Sequence, residues 1–229
     1  MAESKGLILG VGCKARAGKD TFGKYLRDVF LSQYNREFKT TAFAHRLKQM
    51  CLEHFNLSRE QLWGNDKESV DKRYTKPFVN GSKWEKEQLF KYCIDNDLDD
   101  MYWTPREIMQ ELGSFYRRVD HNFWVRKLDE NWKYNNCPDT IITDVRHINE
   151  CEYVKEHGIL IKIVRDDAAD IHGMTHESET ALDGKSDDYF DIVINNNGTL
   201  DDLQIAAYNA AKVIIKLEQI KEGRQYNGR

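Results

Sequence analysis

The chain has 229 residues, of which 40% are hydrophobic and 31% charged, with a formal net charge of −4. This length fits one large domain, or one domain with a sizeable insertion, and leaves room for a sheet covered by helices on both faces. The acidic balance and the lack of a long Lys/Arg run argue against a duplex-binding surface, so no stable nucleic-acid partner is expected.

Leu7, Ile8, Leu9 and Val11 form a short apolar run that predicts a buried strand. A helix should start near Gly18, because Phe22, Tyr25, Leu26, Val29 and Phe30 recur on one helical face. Residues 40–44 predict a second strand, and Leu47, Met50, Cys51 and Phe55 a helix after it. Ser58 and Gln61 have the spacing of a capping box. From 63 to 103 the periodicity breaks up around Pro77, Gly81 and an acidic run at 95–100, which predicts an insertion of loops and helices. The acidic run reads as a solvated loop rather than a metal site.

Thr104, Pro105 and Glu107 form a strong helix start, with Thr as N-cap, Pro in the first turn and Glu closing the box. That helix continues through Met109 and Leu112, and another is expected from about 122 to 134. Residues 140–143 predict a strand ending at Asp144, followed by a helix through Ile148, Cys151 and Val154 that Gly158 stops. A further apolar strand covers 159–164, a polar loop 166–189, and a last strand 190–194. Thr199 with Asp202 caps a final helix through Leu203, Ala207, Ala210, Ile214 and Leu217, with a frayed tail from Gly223. Strands alternating with helices predict an α/β fold with a parallel sheet between two helical layers.

Five cysteines, at 13, 51, 93, 137 and 151, include no Cys-x-x-Cys pair. Free thiols in a reducing cytoplasm are expected, rather than a disulfide framework or zinc. The apolar run at 6–12 is too short to span a bilayer and has only Lys5 before it, so neither signal peptide nor membrane segment is expected.

Ligands of parallel α/β sheets bind at the carboxyl ends of the strands. The loop after the first strand reads Cys13-x-x-x-x-Gly18-Lys19-Asp20-Thr21, close to the phosphate-loop pattern Gly-x-x-x-x-Gly-Lys-Ser/Thr. Successive backbone N–H groups curl around an anion there, and the helix N-terminus adds a favourable dipole. Lys19 supplies a point charge to the β- and γ-phosphates. Two positions depart from the pattern. Cys13 replaces the first glycine, and Asp20 stands where Ser or Thr usually meets Mg²⁺, with Thr21 beside it. Asp20 and Thr21 are both candidates to hold that ion. Asp144, at the end of an apolar strand, occupies the usual place of a magnesium-organising carboxylate, and Arg146 two residues on can neutralise charge on a transferring group. A structural Asp–Arg pair at a helix start is the alternative.

With these residues in view, the chain resembles the deoxynucleoside monophosphate kinases of bacteriophages, the T-even type included. The resemblance spans roughly residues 7–205 and rests on segments 14–21, 43–48, 104–113, 123–125, 143–146, 176–179 and 191–200. The Gly-Lys-Asp-Thr ending is typical of that family, whereas Cys13 is a departure from it. The resemblance implies a single P-loop kinase domain over 1–229: three layers, about five central parallel strands, a mostly helical acceptor-binding insertion at about 58–120 and a lid-like loop at about 165–189. It implies transfer from ATP, with Mg²⁺, to a deoxynucleoside 5′-monophosphate in a host cytoplasm, and it alone suggests a homodimer.

The resemblance also distributes roles. Arg16, Gly18, Lys19, Asp20, Thr21 and Arg165 would hold ATP, and Lys14 would face the acceptor phosphate. Ala44, His45 and Lys48 would line the acceptor pocket, although Lys48 reads equally as a surface lysine. Arg106, Gln110 and Gly113 share a helix face and, with Ser114, would bind the acceptor: Arg grips a phosphate, Gln reads a base edge and Gly allows close approach. Trp124 would stack on the base or belong to the core. Asp144, Arg146 and Glu150 would complete the acceptor side, and Glu179 would bind the sugar or support Arg146. His176 and Ser178 belong to the lid-like loop, where His176 is not needed as a base because a phosphate acceptor is already ionised. Asn197 and Gly198 would approach the adenine or form a plain turn. Two other readings stay open: a phosphomevalonate-kinase-like enzyme, which shares the Gly-Lys-Asp loop, and a nucleotide-binding switch or ATPase without transfer.

Overall fold

The computed structural model describes residues 5–13, 17–76, 91, 99–166, 182 and 184–226. The chain divides into two compact units, one of Met1–His45 with His121–Arg229 and one of Arg46–Asp120. The expected insertion at 58–120 falls inside the second unit, which also takes in residues 46–57.

The first unit holds a sheet of β1 (Ile8–Cys13), β2 (Lys39–Thr41), β5 (Thr140–Val145), β6 (Gly158–Val164) and β7 (Ile192–Asn195). These five strands run in the order β2-β5-β1-β6-β7, and every pairing is parallel. The strand alternation feeds two cores. Leu9, Val11, Ile141, Ile159, Ile161 and Ile163 turn to one face, against Phe22, Leu26 and Phe30 of α1 (Lys19–Tyr34) and Leu203, Ala207, Ala211 and Ile214 of α7 (Leu200–Tyr226). Ile8, Ile142, Val145 and Leu160 turn to the other, against Leu128 and Trp132 of α5 (Phe123–Tyr134) and Cys151 and Val154 of α6 (Ile148–His157). Side chains of a strand alternate in direction, so apolar residues at consecutive positions require cover on both faces. Burying each such side chain contributes about 1.5–3 kcal/mol. Gly23 lets α1 approach the sheet, since a Cβ there would lie 2.8 Å from the Thr143 methyl.

Where the strands begin, Arg36 bridges Asp139 and Glu218. Its Nη2 donates to Asp139 Oδ1 at 2.7 Å and to Glu218 Oε1 at 2.9 Å. Asp139 also accepts from Leu7 N at 2.6 Å. The two carboxylates raise the guanidinium pKa further, so the end of α1, the start of β5 and α7 are tied by a permanent charge.

The second unit contains most of α2 (Ala44–Phe55), then α3 (Arg59–Trp63), β3 (Asp71–Thr75), β4 (Tyr102–Trp103) and α4 (Pro105–Val119). Both expected capping boxes form: Ser58 with Gln61 opens α3, and Thr104 with Glu107 opens α4. The antiparallel ribbon of β3 and β4 was not predicted, because neither strand carries an apolar alternation. Its anchor is Asp71, buried and held by Arg73 Nε at 2.8 Å and Gln61 Nε2 at 3.0 Å. Most of the predicted acidic loop, at 95–98, lies outside the described residues.

Several boundaries moved. β2 is shorter than 40–44 because Phe43 and Ala44 turn into α2. β5 runs on through Asp144 to Val145, β7 begins at Ile192, and α7 continues past Gly223 to Tyr226. Gly158 ends α6 as expected, with an extended φ of 176°, and it also opens β6. Among the described residues, Cys51, Cys137 and Cys151 are free thiols, and no helix is long and apolar enough to cross a membrane.

Candidate active site

The central strand β1 delivers the chain to the turn before α1. Gly18, at φ 91° and ψ 14°, is left-handed, a region where a Cβ is strained. It caps α1, and its carbonyl accepts from Phe22 N at 2.9 Å. Lys19 and Asp20 therefore occupy the first turn of a 16-residue helix, beside amides that have no partner within the helix. The Lys19 side chain is 16% exposed, with Nζ 3.6 Å from a carboxylate oxygen of Asp20, which is itself 75% exposed. Thr21 is half-buried. Lys14, Arg16 and the Cys13 side chain lie outside what the structure describes.

Sequence reasoning passed over Asn196, which is buried at 6% exposure. Its Nδ2 donates to the Ala17 carbonyl at 2.9 Å. The one available signal was a run of three asparagines after an apolar strand, and that run does not say which of them turns inward.

At the end of β5, Asp144 spreads its carboxylate over the start of α2. Oδ1 accepts from Phe43 N at 2.6 Å and Oδ2 from Ala44 N at 2.9 Å. The helix-start alternative for Asp144 thus takes a specific form: it caps α2 across the sheet, not the helix that follows it. Each carboxylate oxygen keeps further acceptor capacity. Glu150 is buried, and its Oε2 accepts from Arg146 N at 2.8 Å and His147 N at 3.1 Å. It closes the box that starts α6 and shapes the turn carrying Arg146, whose side chain is half-buried. Ala44 is half-buried and His45 exposed at the start of α2. Trp124 is 3% exposed and stands edge-on to Phe123, centroids 4.8 Å apart. That packing fits the core alternative, and a base could stack only where a neighbouring group yields.

After β6, Arg165 is exposed, and next to it Asp166 pairs with Asn197 in both directions. Asp166 N donates to Asn197 Oδ1 at 2.9 Å, and Asn197 Nδ2 donates to Asp166 Oδ2 at 2.7 Å. Asn197 is thus engaged with the β6 exit, and Gly198 faces the Asp202 carboxylate that caps α7. His176, Ser178 and Glu179 lie outside the described residues.

In the second unit, α4 carries Arg106, Gln110, Gly113 and Ser114, all half-buried except the buried Gly113. Arg106 is ion-paired through Nε with Glu68, in the short helix Asp66–Glu68. Glu107 is held by Lys76 Nζ at 2.8 Å, and its carboxyl pKa is lowered although burial opposes the shift. A Cβ at Gly113 would meet Leu47 Cδ2 at 3.4 Å, so α2 packs closely on α4 there. Lys48 Nζ lies 5.1 Å from the Trp63 ring centroid.

The profile of the family described as deoxynucleotide monophosphate kinase matches residues 82–206, from the second unit through α4, α5, β5, α6, β6 and β7 into α7. A protein of Acanthamoeba polyphaga mimivirus, provisionally described as a deoxynucleotide monophosphate kinase, is 31% identical over an alignment of 216 residues that covers 86% of this chain and 90% of that one. The chain belongs to the deoxynucleotide monophosphate kinase family. It is therefore a phosphotransferase of the kinase class, built on the α/β P-loop architecture expected from the alternation of strands and helices. The profile match does not include the loop at 13–21, whereas the viral relative aligns over most of the chain. Among the described residues no group of three or more His, Cys, Asp or Glu could hold a metal ion. Mg²⁺ in phosphoryl-transfer sites is typically held by one or two protein ligands plus substrate phosphates, a demand that Asp20 and Thr21 can meet.

Proposed function

We propose that this chain transfers the γ-phosphoryl group of ATP to a deoxynucleoside 5′-monophosphate, giving ADP and the deoxynucleoside diphosphate. The observation that carries the reading is the left-handed Gly18 turn at the carboxyl end of the central strand, which opens α1 on Lys19. A nucleoside triphosphate fits this arrangement because helix N-terminal amides and an ammonium both favour anionic oxygens. An oxygen of the acceptor phosphate attacks the γ-phosphorus in line, and the bond to the β-phosphate oxygen breaks toward ADP. The acceptor is already ionised, so no general base is required. Catalysis then rests on positioning and charge neutralisation.

Lys19 follows charge from the γ-phosphate as it is transferred, and Arg146, with Arg16 and Arg165, neutralises the remainder. Asp20 and Thr21 would hold Mg²⁺, which supplies charge stabilisation across the phosphates. Asp144 acts by fixing the backbone at Phe43 and Ala44, which sets Ala44 and His45 at the acceptor side. Arg106, Gln110 and Ser114 bind the acceptor, with Arg106 exchanging Glu68 for the phosphate.

The test is ADP release with a panel of deoxynucleoside and ribonucleoside monophosphates, with phosphomevalonate, and with no acceptor. Turnover dependent on one or more deoxynucleotides is expected. No rate with any deoxynucleotide would sink the proposal. A rate with phosphomevalonate alone would favour the other kinase reading, and hydrolysis indifferent to acceptors would favour a switch.

A further inference from the structure

We infer that Asn196 is a positioning residue for the phosphate loop, holding the Ala17–Gly18 turn from the end of the neighbouring half of the sheet. The inference rests on the reading of that loop as the triphosphate site. Three exits of the sheet are stitched together around it. Asn196 N donates to Val164 O at 2.7 Å, which fixes the β7 exit to the β6 exit. Its side-chain Nδ2 then crosses to the β1 exit and donates to Ala17 O at 2.9 Å. Asn197 and Asp166 close the same junction from the solvent side.

The amide acts in two ways. It satisfies the carbonyl immediately before the left-handed residue, in a place where an unpaired carbonyl is costly. It also lies against the open side of Gly18, because a Cβ on Gly18 would come within 2.5 Å of Nδ2. A phosphate loop works by aiming several N–H groups at one point, and rotation of the 17–18 peptide would misdirect them. Lys19 starts at the next residue, so the same rotation moves the first turn of α1. The acceptor contacts proposed on α4 do not involve Asn196. Its role therefore predicts a signature confined to the triphosphate.

Asn196→Asp preserves the shape and puts an acceptor oxygen where the donor was. The variant should fold, bind ATP about tenfold more weakly and turn over more slowly, as expected when one buried hydrogen bond is replaced by an unpaired group. The KM for the deoxynucleotide should stay within about twofold, because the acceptor contacts proposed on α4 are unaltered. ATP binding is measured without acceptor by calorimetry, and both KM values by ADP release. If Asn196→Asp does not fold, Asn196→Ala carries the same test. An unchanged ATP affinity in a folded variant overturns the inference, as does an equal loss for both substrates. Failure of both variants to fold also overturns it, by giving Asn196 a role in the fold instead. Lys19→Ala, measured alongside, separates the two levels. If Lys19→Ala binds ATP and turns over like the parent, the loop reading itself falls. If Lys19→Ala is crippled while Asn196→Asp matches the parent, only the role of Asn196 falls.

Discussion

The turn before α1 and the half-buried flank of α4 hold their polar groups by different means. At the turn, the backbone itself would make the proposed site: a left-handed glycine, amides without a partner inside the helix, and one lysine in the first helical turn. On α4, a regular and doubly capped helix merely displays side chains, and Arg106 is held by an ion pair with Glu68. A site made by backbone tolerates few residue types at its key positions, so it leaves a motif. A site made of side chains on a helix leaves only a spacing of four, which any surface helix can show. The first kind should fail sharply when altered, and the second should fail by degrees.

The largest effect is expected at the turn. Lys19→Ala should keep the fold, with an unchanged circular-dichroism spectrum and melting temperature, while kcat falls by about two to three orders of magnitude, as for loss of a key transition-state charge. A near-normal rate would break the comparison at its stronger end.

Asp144→Ala comes next and probes stability more than chemistry. It strips two backbone amides, those of Phe43 and Ala44, of a charged acceptor. A loss of about 1.5–3 kcal/mol in urea unfolding is expected, the range for hydrogen bonds to charged groups. A variant as stable as the parent but inactive would move Asp144 from positioning to direct catalysis.

Arg106→Ala should raise the KM for the deoxynucleotide about tenfold and leave the KM for ATP alone, as for loss of a half-exposed phosphate contact. Glu68→Gln, which frees Arg106 from its ion pair, should lower that KM slightly and make it more sensitive to salt. Equal effects on both substrates would erase the distinction between the two regions.

The smallest effect is a pH dependence of the second unit. Arg73 beside Asp71, helped by Gln61, lowers the carboxyl pKa to about 2. The folded value lies below the unfolded one of about 4, so the carboxylate's contribution is complete above that pH and is lost as the pH falls toward the folded value. Asp71→Asn should therefore melt below the parent at neutral pH, with the gap narrowing in acid. A constant gap across that range would mean that the ion pair contributes nothing.

Much of the layout was legible without coordinates. The apolar runs at β1, β5 and β6 announce strands buried on both faces, and Thr104 with Glu107 announces α4. The candidate site was legible where it depends on a turn, at Gly18 and Lys19, and less so where it depends on partners. Glu150 reads as an acceptor residue by resemblance, and only the fold shows that its Oε2 closes the turn at Arg146. The ribbon of β3 and β4 has no pattern of its own because it is anchored by one buried aspartate rather than by an apolar face.

Local chemistry therefore specifies most of the elements, the capping boxes and the Gly18–Lys19 turn, since each depends on residues a few positions apart. The partners of the polar groups depend on contacts between segments far apart in the chain. Asn196 meets Ala17 across 179 positions, Arg36 meets Glu218 across 182, and Asp144 meets Phe43 across 101. No periodicity carries such pairings, because a buried donor takes whichever acceptor the packed layers bring within reach. The turn before α1 is thus announced by its glycine and lysine, while the amide that bonds its Ala17 carbonyl comes from the far end of the sheet's last strand.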